Sequence, residues 1–137
     1  MTGYPPFIKG MGVDIIEVDR IERAVSRRKN FLNRFFNPCE IRKRPSDKTY
    51  YQHIAARFAA KEAVAKALGK GFRGFKWKDI IILQDPMGKP FVELAGMAHQ
   101  KALALGIGDF LLSTAHTREY AVANAIAISK TKGDESL

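Results

Sequence analysis

The amino-acid sequence predicts an α+β fold in which a mainly antiparallel sheet packs against one long helix. Three observations carry that expectation. An alanine-rich run ending at Gly69 has helical composition and a glycine stop. Two pairs of apolar, β-branched runs, residues 80–83 with 90–94 and 110–116 with 120–129, are joined by short turns and read as hairpins. A further β-branched run lies near the N-terminus. Strands interspersed with helices, and hairpins toward the C-terminal end, belong to the α+β class.

In order along the chain, residues 1–6 read as a loose lead-in. Residues 8–18 hold Val13, Ile15, Ile16 and Val18, broken by Asp14 and Glu17, and read as a short buried strand. Residues 19–25 have helical spacing, with Asp19 as the expected N-cap. Arg27, Arg28, Lys29 and Arg34 then surround Phe31 and Leu32, and Pro38 and Pro45 punctuate the next segment. Ser46 and Asp47 offer a cap for the long helix, expected over residues 48–68. Gly69-Lys70-Gly71 reads as a turn, Asp85-Pro86-Met87-Gly88 as the first hairpin turn, residues 96–105 as a short helix, and Thr117-Arg118-Glu119 as the second hairpin turn. Residues 130–137 are polar and expected to fray, which leaves one domain over residues 1–137.

Composition limits the function classes. A chain of 137 residues buries a modest core, so completion of that core by oligomerisation is expected. Lys and Arg total 23 against 14 Asp and Glu, a net +9 that attracts nucleic acid, acidic lipid, acidic protein or phosphorylated metabolites. A basic nucleic-acid module would explain the charge but leaves Asp14 and Glu62 without a role. It also lacks zinc spacing or a base-stacking aromatic pattern. Cys39 is the single cysteine; no intrachain disulfide is possible, which fits a reducing cytoplasm. No apolar window is long enough to span a membrane, and the N-terminal residues lack the apolar stretch of a signal peptide.

Two carboxylates stand out. An α-helix turns about 400° in four residues, so Phe58, Glu62 and Lys66 form a row. Glu62 and Lys66 read either as a surface ion pair or as groups at the edge of a cleft, because alanines make both neighbouring faces small. Asp14, inside an apolar strand, needs an Arg partner, hydrogen bonds or a metal. Two acids, one from a strand and one from a helix, suit Mg²⁺, which takes oxygen ligands and completes its shell with water and phosphate. Arg57, Lys61, Lys66 and Lys70 would then serve phosphates, with a backbone nest at Gly69-Lys70-Gly71.

GMGVDIIE at 10–17, AARFAAKEAVAKALG at 55–69, DPMGKP at 85–90 and STAHTREYAVA at 113–123 together resemble the holo-acyl-carrier-protein synthases, the small bacterial 4′-phosphopantetheinyl transferases. The resemblance runs from about residue 8 to residue 128, in the family's order. It implies the phosphopantetheinyl transferase fold and transfer of 4′-phosphopantetheine from coenzyme A to a serine of apo acyl carrier protein. Adenosine 3′,5′-bisphosphate would be released, in support of fatty acid biosynthesis. It implies Asp14 and Glu62 as Mg²⁺ ligands, Lys66 as a phosphate contact that assists the leaving group, and His116 as a group near the coenzyme phosphates with a part in catalysis. Arg57, Gly69 and Pro90 resemble further parts of the coenzyme site.

The family docks its acidic carrier protein on a basic first helix. Here Arg20, Arg23, Arg27, Arg28 and Lys29 would offer that face, with Phe31 as an apolar contact. The serine's base stays open among a metal-bound water, Glu62, Asp14 and His116. Family members form homotrimers with active sites between subunits. The chain departs from wider patterns in two places. Ile16 stands where larger relatives carry a further acid, so a water is expected there. Ala115 replaces the hydroxyl residue common before the histidine, with Thr114 one earlier. A homologue that only binds the carrier protein would not need both acids and Lys66.

Overall fold

The computed structural model describes residues 7–69 and 74–130. Strand β1 (Ile8–Glu17) leads directly into α1 (Val18–Arg27), followed by the short α2 (Phe31–Phe35) and a 3₁₀ turn at Pro38–Glu40. The long helix α3 spans Tyr50–Ala67. A second 3₁₀ turn (Trp77–Asp79) opens the hairpin β2 (Ile80–Gln84) and β3 (Pro90–Leu94). Helix α4 (Gly96–Ala104) precedes the hairpin β4 (Ile107–His116) and β5 (Tyr120–Ser129). All strand pairs are antiparallel, but they form two sheets: β1-β5-β4, and the separate pair β2-β3.

Helix α3 is held by its smallness. Alternate residues of β5, Ala121, Ala123, Ala125 and Ala127, are buried, as are Ala59, Ala60 and Ala63 of α3. On β1 the approach is closer still. A Cβ on Gly12 would stand 2.0 Å from the Ala63 carbonyl oxygen, and one on Gly10 would stand 2.1 Å from that of Ala67. Only glycine at these two positions lets the helix lie on the strand. Ile80 and Ile82 of β2 and the α4 alanines Ala98 and Ala102 complete the same core. Ile21, Phe31 and Phe36 close a second cluster around Ile54 and Ala55. The helix is therefore buried nearly all round, which is why its sequence shows no clean polar face.

The expected caps are not used. The amide of Val18 donates to the carbonyl of Glu119 at 2.8 Å, so α1 starts from the strand without a loop, and Asp19 lies in the first turn, paired with Arg23 at 3.4 Å. Asp47 spends its carboxylate on the Arg44 amide at 2.7 Å; α3 begins at Tyr50, after Thr49. Gly69 does end the helix, with φ of +80°. Strand β4 starts three residues earlier than the sequence suggests, past an irregularity between Ile107 and Asp109. Of the expected turn at 69–71 only Gly69 is described; the expected tails, save Lys130, lie outside the described residues.

Candidate functional site

Side chains alternate across β1. Gly10, Gly12, Asp14 and Ile16 share the α3-facing side, while Met11, Val13 and Ile15 face outward. The glycine row that seats the helix thus continues into Asp14. Opposite it stands the α3 row Glu62–Lys66. Lys66 Nζ lies 3.2 Å from Asp14 Oδ1 and donates to the Val13 carbonyl at 2.9 Å. Glu62 is half-buried, and its carboxyl is pushed above the usual range, first by burial and then by the charge of Asp14; Lys66 and Arg20 oppose that rise. Two acids and a lysine, distant in sequence, therefore meet at one place.

Asp14 and Glu62 line one end of a cleft of about 430 Å³. Arg20, Arg23, Arg27 and Arg28 line another wall, and Phe31, Phe35 and Phe58 line the floor. The arginines are exposed; Phe31 is only 6% exposed, so it is packing as well as surface. Its ring lies 4.8 Å from that of Phe35, which meets Phe58 at 5.5 Å, and Phe58 stacks on Trp77 at 5.5 Å. This stack fixes the turn of α3 immediately before Glu62.

The other expected site residues lie elsewhere. Arg57 is 5% exposed; its guanidinium donates to the Glu40 carbonyl at 3.4 Å and to Gln84 Oε1 at 2.9 Å. Gln84 pairs with Pro90 across the β2-β3 hairpin, so Arg57 and Pro90 are close neighbours. His116 is exposed at the end of β4, and its charge helps push His53 down to about 4, after burial, Arg57 and Lys43. β5 stands between β1 and β4, so two inter-strand spacings, about 10 Å, separate the strands bearing Asp14 and His116. Gly69 accepts a hydrogen bond from Lys101 at 3.1 Å. Lys70 lies outside the described residues.

Lys61 is a correction. The sequence assigns it to phosphates, but its side chain is fully buried, 2.8 Å from Glu40 Oε1. Its ammonium also donates to the carbonyls of Trp77 at 3.1 Å and Ile80 at 2.5 Å. Every proton is engaged, so none is left for a ligand. Glu40 and His53 escaped the sequence reading. Asn37-Pro38-Cys39-Glu40 did carry a usable signal, since Asn followed three residues on by Glu is a capping-box pattern, and Glu40 does accept from the Asn37 amide at 2.8 Å.

A fit for a divalent ion can be judged from these groups. Glu62 feels the charge of Asp14 across a half-buried cleft, and both residues offer hard oxygen donors. That donor set suits Mg²⁺.

The chain is also similar to known proteins. The sequence profile of the 4′-phosphopantetheinyl transferase superfamily matches residues 10–125. A holo-[acyl-carrier-protein] synthase of Alkaliphilus oremlandii is 50% identical over 121 residues, covering 88% of this chain and 99% of that protein. The crystal structure of a Neisseria meningitidis holo-[acyl-carrier-protein] synthase superposes with a TM-score of 0.78 at 33% identity, over 88% of this chain and 98% of the other. A Helicobacter pylori holo-[acyl-carrier-protein] synthase solved in complex with coenzyme A gives 0.73 at 34% identity, over 85% and 98%.

Proposed function

This chain belongs to the 4′-phosphopantetheinyl transferase superfamily, among its holo-acyl-carrier-protein synthases, and we propose that it moves 4′-phosphopantetheine from coenzyme A to a serine of apo acyl carrier protein, with Mg²⁺. The observation that carries the reading is the meeting of Asp14, Glu62 and Lys66, with the two acids lining a cleft whose adjoining wall is basic. Asp14 and Glu62 would hold the ion, which supplies positive charge to polarise a phosphoryl group. Lys66 neutralises charge gathering on the pyrophosphate oxygens as the serine attacks and adenosine 3′,5′-bisphosphate departs. Arg20, Arg23, Arg27 and Arg28 steer the acidic carrier protein to the cleft. The product supplies fatty acid biosynthesis in the cytoplasm.

The active unit is proposed to be a homotrimer. Two observations support an assembly. Arg57, Pro90 and His116 do not line the cleft that holds Asp14 and Glu62, so a coenzyme site using both groups would draw the second from a neighbour. The outer face of the three-stranded sheet also exposes Met11, Val13, Ile15 and Leu111, at 47%, 59%, 65% and 53%. Light scattering of the purified chain tests the trimer; a monomer at micromolar concentration contradicts it.

Mass spectrometry tests the activity. An apo carrier protein mixed with coenzyme A, Mg²⁺ and this chain should gain one phosphopantetheine, with release of adenosine 3′,5′-bisphosphate. Glu62→Gln should lower turnover by at least about 100-fold while the chain keeps its fold. Full activity in Glu62→Gln would remove the metal assignment.

A further inference from the structure

We propose that Lys66 competes with the divalent cation for Asp14, so that metal binding requires the lysine to be drawn off the aspartate. The inference rests on the metal reading given above. Lys66 does not extend freely into solvent, as a pure phosphate contact would. Its ammonium reaches from α3 to β1 and holds two acceptors on successive residues, the Val13 carbonyl at 2.9 Å and Asp14 Oδ1 at 3.2 Å. Among the described residues it is the one cation ion-paired with Asp14.

The two partners differ in freedom. The Asp14 side chain is 19% exposed and sits on a paired strand, whereas that of Lys66 is 51% exposed at the end of a four-carbon stem. The lysine can swing and the aspartate cannot. An ammonium bonded to a carboxylate oxygen and a dication drawing on the same carboxylate repel each other. The dication therefore meets a ligand already spoken for. Pyrophosphate oxygens offer the ammonium a more strongly charged acceptor than Asp14 does. Coenzyme A and the metal would then favour one another's binding, and the coupling is reciprocal. Metal alone would bind weakly, and the charge at Asp14 would stay compensated until the co-substrate arrives.

Mn²⁺ titration of the full chain without coenzyme A, read by the electron paramagnetic resonance signal of free Mn²⁺, tests this. Lys66→Met and Lys66→Gln should each tighten Mn²⁺ binding by roughly five-fold or more. Arg20→Gln is the control. It removes the same unit of positive charge from beside the two acids, and Arg20, which lines their cleft, influences Glu62 as Lys66 does without pairing with Asp14. A gain clearly larger in the Lys66 variants than in Arg20→Gln supports competition. No gain, or an equal gain in Arg20→Gln, overturns it. Asp14→Asn separates the two ideas. If Asp14→Asn leaves Mn²⁺ binding unchanged, the metal site itself is wrong. If Asp14→Asn removes binding while Lys66→Met gains nothing, the competition alone fails. Circular dichroism melts of each variant establish that the folded chain is being titrated.

Discussion

Glu40 and Lys61 form an ion pair with no solvent contact: Lys61 Nζ stands 2.8 Å from Glu40 Oε1, and both side chains are fully buried. Glu40 also accepts from the amides of Asn37 and Ile82, at 2.8 and 2.9 Å, so one carboxylate ties the 3₁₀ turn, α3 and β2 together. Truncating one partner strands a charge in the core. Lys61→Met or Glu40→Gln should each cost about 3–5 kcal/mol of folding stability, measured by urea denaturation. The double variant Glu40→Gln/Lys61→Met should lose less than the sum, since neither charge is then orphaned. Additive losses would mean the pair is not coupled.

Gly12 gives a second expectation. A methyl group there meets a backbone carbonyl, not a flexible side chain, so the helix must lift. Gly12→Ala should destabilise by at least about 1–3 kcal/mol. Because Asp14 is two residues along the same strand, it should also lower kcat more than the stability loss explains. Thermal melts and single-turnover assays on the same preparation check both halves.

These two features mark the boundary of what the sequence discloses. The hairpins, the N-terminal strand and the helix ending at Gly69 are legible because alternation, turn residues and a glycine stop are local signals. Asp14, Glu62 and Lys66 are legible by type and spacing. Arg57 and Lys61 are not, because α3 is buried on nearly every side and its wheel has no face to separate an inward lysine from an outward one. The split into two sheets is equally hidden, since which hairpin joins β1 is decided by tertiary contacts. The caps fail for the opposite reason: Asp19 and Asp47 have the right chemistry, but neighbouring amides and guanidinium groups take it.

His53 should leave a trace in acid stability. Its Nε2 accepts from the Arg42 amide at 3.1 Å, and burial with the nearby cations Arg57 and Lys43 holds it down to about 4, from an ordinary 6.5. Between those values the unfolded chain takes up a proton that the folded chain refuses. Stability is therefore complete above pH 6.5 and falls as pH drops toward 4. The raised carboxyl of Glu62 works in the opposite direction, so the comparison must be with His53→Gln. The variant should show a shallower decline in urea midpoint between pH 7 and pH 5. Parallel curves would clear His53 of the effect.

The arginine wall should act on encounter more than on chemistry. Arg23→Glu and Arg27→Glu are exposed changes beside the cleft. Each should raise KM for the carrier protein roughly ten-fold at low salt, with kcat little changed. The penalty should shrink as ionic strength rises. A fall in kcat at saturating carrier protein would instead put these arginines in the reacting complex.

Strand β1 is a partition one backbone thick. Asp14 stands on its inner side, while Val13 and Ile15 stand on the outer. A small apolar molecule lodged on that outer face would contend with a neighbouring subunit for it and press on the strand that carries the acid, without resembling any substrate. Silencing such an enzyme from behind its own wall thus becomes a reasonable aim for ligand discovery, free of competition with abundant cellular nucleotides.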